Sequence, residues 1–249
     1  MSDDFFASVS QETVETSKGP CDLPILYRDG SVVGLMYRVA PELVAGLIPD
    51  QDAFEPFTLM GKAIVQLVIF EYRDTSIGAY NEVALAVEVK RRGTSPSTWG
   101  ALVNARDQAD YGSTFLNLPV TTEGACAAGR EIWGYPKYVV DISTSFSKEG
   151  ITAEQKGEFS LSLGPAGWLE TKGIPFVLMS TKGGKVIRTI VETGHPLQWG
   201  GGGSAKLTIL GTGPTSDNMT ALGLAERTPS FVWRALSMRS ILPKGQLLE

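Results

Sequence analysis

A lysine among aromatic and apolar residues is the feature of this sequence best suited to chemistry. Residues 129–138 read GREIWGYPKY, and the mostly β-branched run VVDI follows. Burial of Lys137 between Tyr135-Pro136 and Tyr138 would disfavour its ammonium form, because a buried charge is costly. The neutral amine is a nucleophile. The residue types therefore predict a reactive lysine at position 137, against the alternative of a solvated lysine.

A carboxylate on an alternating stretch is the second feature. Between residues 81 and 90, the apolar residues Val83, Leu85, Val87 and Val89 alternate with Glu82, Ala84, Ala86 and Glu88. A period of two indicates a β-strand. Glu82 would then share its face with two alanines, which leaves room beside it for a ligand.

At these residues the sequence resembles the acetoacetate decarboxylase family. GRE at 129–131 and YPK at 135–137 match the segment that carries the family's Schiff-base lysine, and Tyr80-x-Glu82 matches its Tyr-x-Glu. A weaker match lies at Tyr37-Arg38 and at LIP 47–49, which correspond to the family's first strand and the end of its first helix. The resemblance runs from about residue 24 to 243. It implies that Lys137 forms the imine and that Glu82 is the active-site carboxylate.

The resemblance also implies substrate contacts and a fold. Arg28, near the family's first-hairpin arginine, would hold the substrate carboxylate unless it is a solvated turn residue, and Tyr80, Trp133 and Tyr138 would complete the site. The expected fold is mainly β (α+β), an antiparallel, cone-like double β-barrel with a few peripheral helices. No metal or organic cofactor is expected, and the family tends to form homo-oligomers.

This chain differs from the decarboxylase pattern at two places. Tyr138 follows the reactive lysine where most true acetoacetate decarboxylases have a second lysine, and Leu67 or Val68 stands where a second glutamate is expected. Consecutive strand residues point to opposite faces, so Tyr138 would face away from the pocket of Lys137. If its hydroxyl entered the pocket instead, it could protonate or orient an aldol or dehydration intermediate.

The remaining elements are predicted from turn signals and periodicity. Residues 24–27 and 31–39 read as two strands joined by a turn at Asp29-Gly30. Residues 122–133 are rich in small residues and predict a helix that packs closely beside Lys137 as one wall of the pocket. Residues 1–22 would be an arm that drapes over the body, and residues 23–249 a single domain. Many glycine-linked strands follow residue 138, which favours an antiparallel barrel or sandwich.

Composition excludes several classes of function. The net charge is −5 and no basic cluster exceeds KRR at 90–92, which argues against a nucleic-acid partner. Cys21 and Cys126 fit no metal or disulfide pattern, and a single histidine argues against a zinc site or a Ser-His-Asp triad. The sequence has no apolar run of membrane-spanning length and no basic signal-peptide start, so we expect a cytoplasmic protein without a membrane partner.

Three functions fit these observations. The first is decarboxylation of a β-keto acid, resembling acetoacetate, through a lysine imine and enamine. The second keeps the imine but performs an aldol, retro-aldol or dehydration reaction on a 2-oxo acid. The third is a non-catalytic barrel that binds a small apolar ligand.

Overall fold

The structure, a computed structural model, describes residues 5–248 and is built mainly of β-strands. The strands are β1 Glu12–Thr16, β2 Gly19–Leu23, β3 Ile25–Val39, β4 Phe54–Pro56, β5 Thr58–Leu59, β6 Lys62–Thr75, β7 Tyr80–Arg91, β8 Tyr111–Val120, β9 Lys137–Val139, β10 Ile142–Phe146, β11 Ile151–Gln155, β12 Phe159–Leu163, β13 Leu169–Thr171, β14 Phe176–Lys182, β15 Lys185–Thr193, β16 Leu197–Gly200, β17 Ala205–Ile209, β18 Phe231–Ala235, β19 Ser240–Leu242 and β20 Gln246–Leu248. The helices are α1 Pro41–Ala45, α2 Thr98–Val103, α3 Glu123–Trp133 and α4 Pro214–Ala221. None of the described helices has the length and hydropathy needed to cross a bilayer.

Seven strands close into a barrel in the order β3-β19-β15-β14-β8-β7-β6, and β6 pairs again with β3. Beside the barrel lies a four-stranded antiparallel sheet in the order β10-β11-β12-β17. Most pairs are antiparallel, whereas β8 runs parallel to β9 and to β14. The predicted mainly β fold with peripheral helices is confirmed.

Strands β6 and β7 are buried on both faces, which explains why residues 63–70 are almost entirely apolar. The odd-numbered residues of β6 and β7 join the core cluster that includes β11 and β12 of the four-stranded sheet. Even-numbered residues such as Val68, Tyr72 and Ala84 belong to the cluster inside the barrel. The four-stranded sheet thus covers the outside of the barrel at β6 and β7, and the inside remains free to form a site.

The prediction of two strands joined by a turn at Asp29-Gly30 is wrong, because β3 continues through both residues. The register with β6 slips on each side of Asp29, which is the signature of a β-bulge. Gly30 passes so close to β6 that a Cβ atom there would lie 2.7 Å from the carbonyl oxygen of Glu71. The bulge also reverses which residues of β3 point inward. The odd-numbered Tyr27 before it and the even-numbered Val32 after it both belong to the barrel-interior cluster.

Residues 12–23 form a hairpin that packs on α3 and the barrel. Strands β1 and β2 form an antiparallel hairpin, and Ser17 at its turn hydrogen-bonds to Glu131 on α3. Cys21 and Leu23 are buried against the barrel cluster. The predicted boundary between residues 22 and 23 falls inside β2, while the division into an arm and one domain stays a prediction.

Tyr138 lies in a polar network between the four-stranded sheet and α4. Its hydroxyl contacts Thr215 Oγ1 at 2.6 Å and accepts from Gln155 Nε2 at 3.2 Å. The carboxylate of Glu158 accepts from the backbone N–H groups of Thr215 and Ser216 in the first turn of α4. A carboxylate there satisfies helix N–H groups that have no partner within the helix. This network joins β9 to the second sheet.

Candidate active site

The barrel encloses a cavity of about 100 Å³ that is lined by residues from all seven of its strands. That volume is below the range typical of drug-sized ligands and suits a small molecule. Apolar side chains form most of the wall, among them Val68, Phe70, Phe115, Leu118, Phe176, Leu178, Val191, Met238 and Leu242. A barrel of this strand number is normally filled by its own side chains. Space remains here because β7 presents only methyl groups at Ala84 and Ala86.

Lys137 enters this cavity through the parallel pairing of β9 with β8. The register sets Lys137 beside Leu118, so both side chains point to the interior face. Only 8% of Lys137 is exposed. Helix α3 ends at Gly134 in the left-handed conformation, and the chain turns directly from the helix into β9.

The helix also forms the wall that the sequence analysis predicted. A Cβ atom at Gly129 would overlap Cδ and Cε of Lys137, so only glycine permits the observed approach. Ala125 and Ala128 of the same helix flank a small space beside Lys137. The small residues of α3 therefore decide where the lysine stem lies.

Glu82 is the partner of the lysine amine. It faces the cavity from β7, opposite Phe70 of β6, and its carboxylate Oε2 accepts a hydrogen bond from Nζ of Lys137. The two side chains are 8% and 7% exposed, so this is a buried ion pair. Tyr72 donates to the other oxygen of Glu82 at 3.3 Å. The carboxylate is thus held from two sides.

Tyrosine hydroxyls surround this pair. Tyr27 and Tyr80 hydroxyls lie 3.0 Å apart, and Nζ of Lys137 lies 5.5 Å from the centre of the Tyr80 ring. Burial, reinforced by the charge of Glu82, raises the pKa of Tyr72 and of Tyr80 well above the usual value. These phenols therefore stay protonated and act as neutral hydrogen-bond donors.

A second polar cluster lies further along the same face of β7. Glu88 is 5% exposed, and its Oε1 accepts from Gln66 Nε2 at 2.7 Å and from Ser113 Oγ at 2.8 Å. Trp233 Nε1 donates to the amide oxygen of Gln66 at 3.2 Å. These residues are not among those predicted from the sequence. The signal was present, since the alternation puts Glu88 on the face of Glu82 and Gln66 interrupts an apolar strand.

The structure brings together four of the six predicted site residues and leaves two elsewhere. Lys137, Glu82 and Tyr80 meet as described, and Trp133 lies behind them, stacked on Tyr135 with ring centres 5.8 Å apart. Its indole nitrogen donates to the carbonyl oxygen of Pro243.

Arg28 and Tyr138 lie outside the cavity. Arg28 is exposed and pairs with Asp74 at 3.4 Å, because it follows Tyr27 on the strand and so faces away from the interior. Tyr138 follows Lys137 in the same way and joins the network at Thr215. Tyr138 thus points away from the lysine, as strand alternation predicts, and neither Tyr138 nor Arg28 reaches a substrate in this cavity, contrary to what the resemblance implied.

The charge inside the cavity is balanced. Within the described residues 5–248, Lys137 and Glu82 are the charged side chains that line it. The same part of the chain holds no group of three or more His, Cys, Asp or Glu side chains with the arrangement of a metal site. The groups available for chemistry are one amine, one carboxylate and several neutral hydroxyls.

The family assignment follows from residues 11–162, which match the model of the acetoacetate decarboxylase family. This chain belongs to that family. The match covers more than half of the sequence and contains both Glu82 and Lys137. No curated protein sequence matches the chain.

Solved structures of similar fold agree with this assignment. An acetoacetate decarboxylase from Legionella pneumophila is 14% identical, with a TM-score of 0.65 over 99% of this chain and 94% of that one. An acetoacetate decarboxylase-like enzyme from Sphingomonas wittichii is 14% identical, with a TM-score of 0.60 over 92% and 94%. The enduracididine biosynthesis enzyme MppR, complexed with pyruvate, is 15% identical, with a TM-score of 0.58 over 91% and 90%.

The contact between α3 and the lysine predicts the effect of Gly129→Ala. A methyl group at this position displaces Cδ and Cε of Lys137. Displacement of a reacting atom by about 1 Å can cost on the order of 100-fold in rate. We expect a loss of that size in the rate of borohydride trapping with a keto acid, measured by intact-protein mass.

Gly124→Ala is the matched control, because it lies in the same helix and no atom lies within 4 Å of the added methyl group. It should leave trapping unchanged and stabilise the protein by up to about 1 kcal/mol, measured by thermal unfolding, because alanine favours helix. Equal trapping rates in the two variants would show that the packing of Gly129 does not position the lysine.

Proposed function

We propose that this protein is a cofactor-independent lyase that decarboxylates a β-keto acid through an imine of Lys137. The observation that carries the proposal is the contact between the Lys137 amine and the Glu82 carboxylate inside an otherwise apolar cavity. Membership of the acetoacetate decarboxylase family supports the same chemistry. Desolvation in an apolar pocket activates a lysine as a nucleophile, and a carboxylate in contact can accept the proton that the amine must lose before it attacks.

In the first step Glu82 takes a proton from the ammonium group, and the freed electron pair of Nζ attacks the ketone carbon. A proton then passes from the attached nitrogen to the oxygen, which gives a neutral carbinolamine. Its oxygen receives the proton back from Glu82 and leaves as water, so the product is a protonated imine. Tyr72 orients the carboxylate during this exchange, since it donates to the oxygen that does not contact the lysine.

In the second step the bond to the carboxylate carbon breaks. Its electron pair moves to the imine nitrogen, which yields an enamine and carbon dioxide. Addition of a proton to the α-carbon restores the imine, and water then releases the ketone and the free amine. The net reaction consumes one proton and no net water. An apolar wall favours this step, because the carboxylate loses its charge as carbon dioxide departs.

An aldol or dehydration reaction on a 2-oxo acid is the second candidate. The specific observation in its favour is the neutral hydroxyl pair of Tyr27 and Tyr80, which can donate protons to an alkoxide beside Lys137. One MppR structure is described as a complex with the condensation product of pyruvate and imidazole 4-carboxaldehyde. Release of carbon dioxide separates the two candidates.

Two further expectations from the sequence stay predictions. The cytoplasmic location was inferred from hydropathy and charge in the sequence, and the homo-oligomeric assembly from the family resemblance. Cell fractionation tests the cytoplasmic location, and sedimentation of the purified protein tests the homo-oligomeric assembly.

The proposal predicts a covalent adduct. Sodium borohydride with a small β-keto acid should add the mass of the reduced ketone to one residue, Lys137, as located by peptide mapping. Lys137→Met should abolish the adduct, whereas Lys156→Met, at an exposed ion pair, should not. An adduct mainly at another lysine, or none with any keto acid tested, would favour a non-catalytic binding barrel.

Glu82→Gln tests the proton transfer. The amide cannot accept the proton of Lys137, so we expect turnover to fall by about 100-fold or more while the fold is kept. Carbon dioxide release and circular dichroism measure the two properties. Glu154→Gln, at an exposed position of β11, is the control for loss of one negative charge. Equal turnover in wild type and Glu82→Gln would leave Glu82 a structural role only.

A further inference from the structure

The cavity is elongated along β7, because Glu82, Ala84 and Ala86, three successive residues on one face of this strand, all line it. Phe70 faces Glu82 across the β6 and β7 pair, Val68 faces Ala84, and Gln66 faces Ala86. Residues on one face of a strand follow each other at about 6.7 Å. The Glu82 and Ala86 positions are therefore roughly 13 Å apart along the strand. A polar group lies at each end, and apolar residues lie between.

A second bulge extends the apolar middle of the cavity. The register of β7 with β8 shifts between Leu85 and Ala86. As a result Leu118 on one side of the shift and Phe115 on the other both point into the cavity, although one number is even and the other odd. Without the bulge, one of these two side chains would face the opposite side of the sheet.

The polar end away from Lys137 consists of Gln66 and Ser113, with Glu88 behind them. Gln66 has its amide oxygen bound by Trp233 and one N–H bound by Glu88, so its orientation is defined. Trp233 is itself fixed, since its ring lies against Gly34, where any Cβ would collide with it. A carboxamide has two N–H donors and two acceptor lone pairs, so one of each remains for a ligand.

This end should take an uncharged group. Gln66 offers a neutral donor and acceptor to the cavity, and Ser113, whose proton goes to Glu88, offers an acceptor. The buried carboxylate of Glu88 behind them repels an anion. Within residues 5–248, Lys137 is the cation that lines the cavity, and it lies at the other end. A second carboxylate would thus be desolvated there without a positive partner, which is costly.

We propose that the preferred substrate is a β-keto acid whose alkyl chain ends in an uncharged hydrogen-bonding group, such as a hydroxyl, that binds Gln66 and Ser113. This inference rests on the proposed imine chemistry at Lys137 and adds the class of substrate. The distance from the lysine amine to the Gln66 carboxamide is on the order of 10 Å, judged from the spacing along the strand. Acetoacetate is too short to reach both ends.

A substrate series tests this proposal on the wild-type protein. It consists of acetoacetate and of β-keto acids with progressively longer alkyl chains, each prepared with a terminal methyl, hydroxyl or carboxylate. We expect kcat/KM to rise from acetoacetate to the chain length that just spans the cavity and to fall beyond it, because the cavity is only about 100 Å³. At the best length the hydroxyl compound should exceed the methyl compound about tenfold, as for one well-made hydrogen bond. The carboxylate compound should be the poorest of the three.

Variants of the polar end test whether Gln66 and Ser113 cause the preference for the hydroxyl compound. Gln66→Leu and Ser113→Ala should each reduce the ratio of kcat/KM for the hydroxyl compound to kcat/KM for the methyl compound. Gln198→Leu is the control, because Gln198 is a partly buried amide that binds Arg234 away from the cavity. It should retain the full advantage. The wild-type series decides the proposal even if a cavity variant fails to fold.

The outcomes separate this inference from the proposed function. Borohydride trapping at Lys137 together with equal kcat/KM for methyl and hydroxyl compounds, or with acetoacetate as the best substrate, would overturn the inference alone. The best turnover with the terminal carboxylate would also overturn it. Absence of trapping with every member of the series would overturn the imine chemistry and with it both proposals.

Discussion

The structure depends on one buried contact, the ion pair between Lys137 and Glu82 inside an apolar barrel. Removal of one partner from a buried pair typically costs about 3–5 kcal/mol, because the other charge is left uncompensated. The surrounding elements keep the pair together and leave space beside it. Ala84 and Ala86 leave the cavity open, Gly129 lets α3 approach the lysine, and the parallel pairing of β9 with β8 aims Lys137 inward.

The site could be predicted from sequence where the evidence was local. The alternation over residues 81–90 put Glu82 on the face of two alanines, and the small residues of 122–133 indicated a closely packed helix. The structure has both features. Strand alternation also predicted that the side chain of Tyr138 points away from that of Lys137, because consecutive strand residues point to opposite faces. These inferences need only the periodicity of one element.

Other features required pairing information that a single sequence does not carry. Asp29-Gly30 has the residue types of a turn, yet Gly30 is needed because β6 passes so close to it. Arg28 was assigned to the site from its likeness to the family's first-hairpin arginine, whereas the continuous strand directs it to the surface. Gln66, Ser113 and Trp233 come from three distant parts of the chain. The pairing of β7 with β6 and β8, and of β18 with β3, brings them into one cluster.

The central claim is that the amine of Lys137 is the group that bonds to the substrate carbonyl. A crystal structure of the protein treated with a β-keto acid and borohydride tests it most directly. The account predicts continuous electron density from Nζ of Lys137 to the former carbonyl carbon, with the rest of the ligand lying along β7 inside the barrel. A ligand in the cavity without a bond to Nζ, or one bonded to a lysine outside the barrel, would contradict the account.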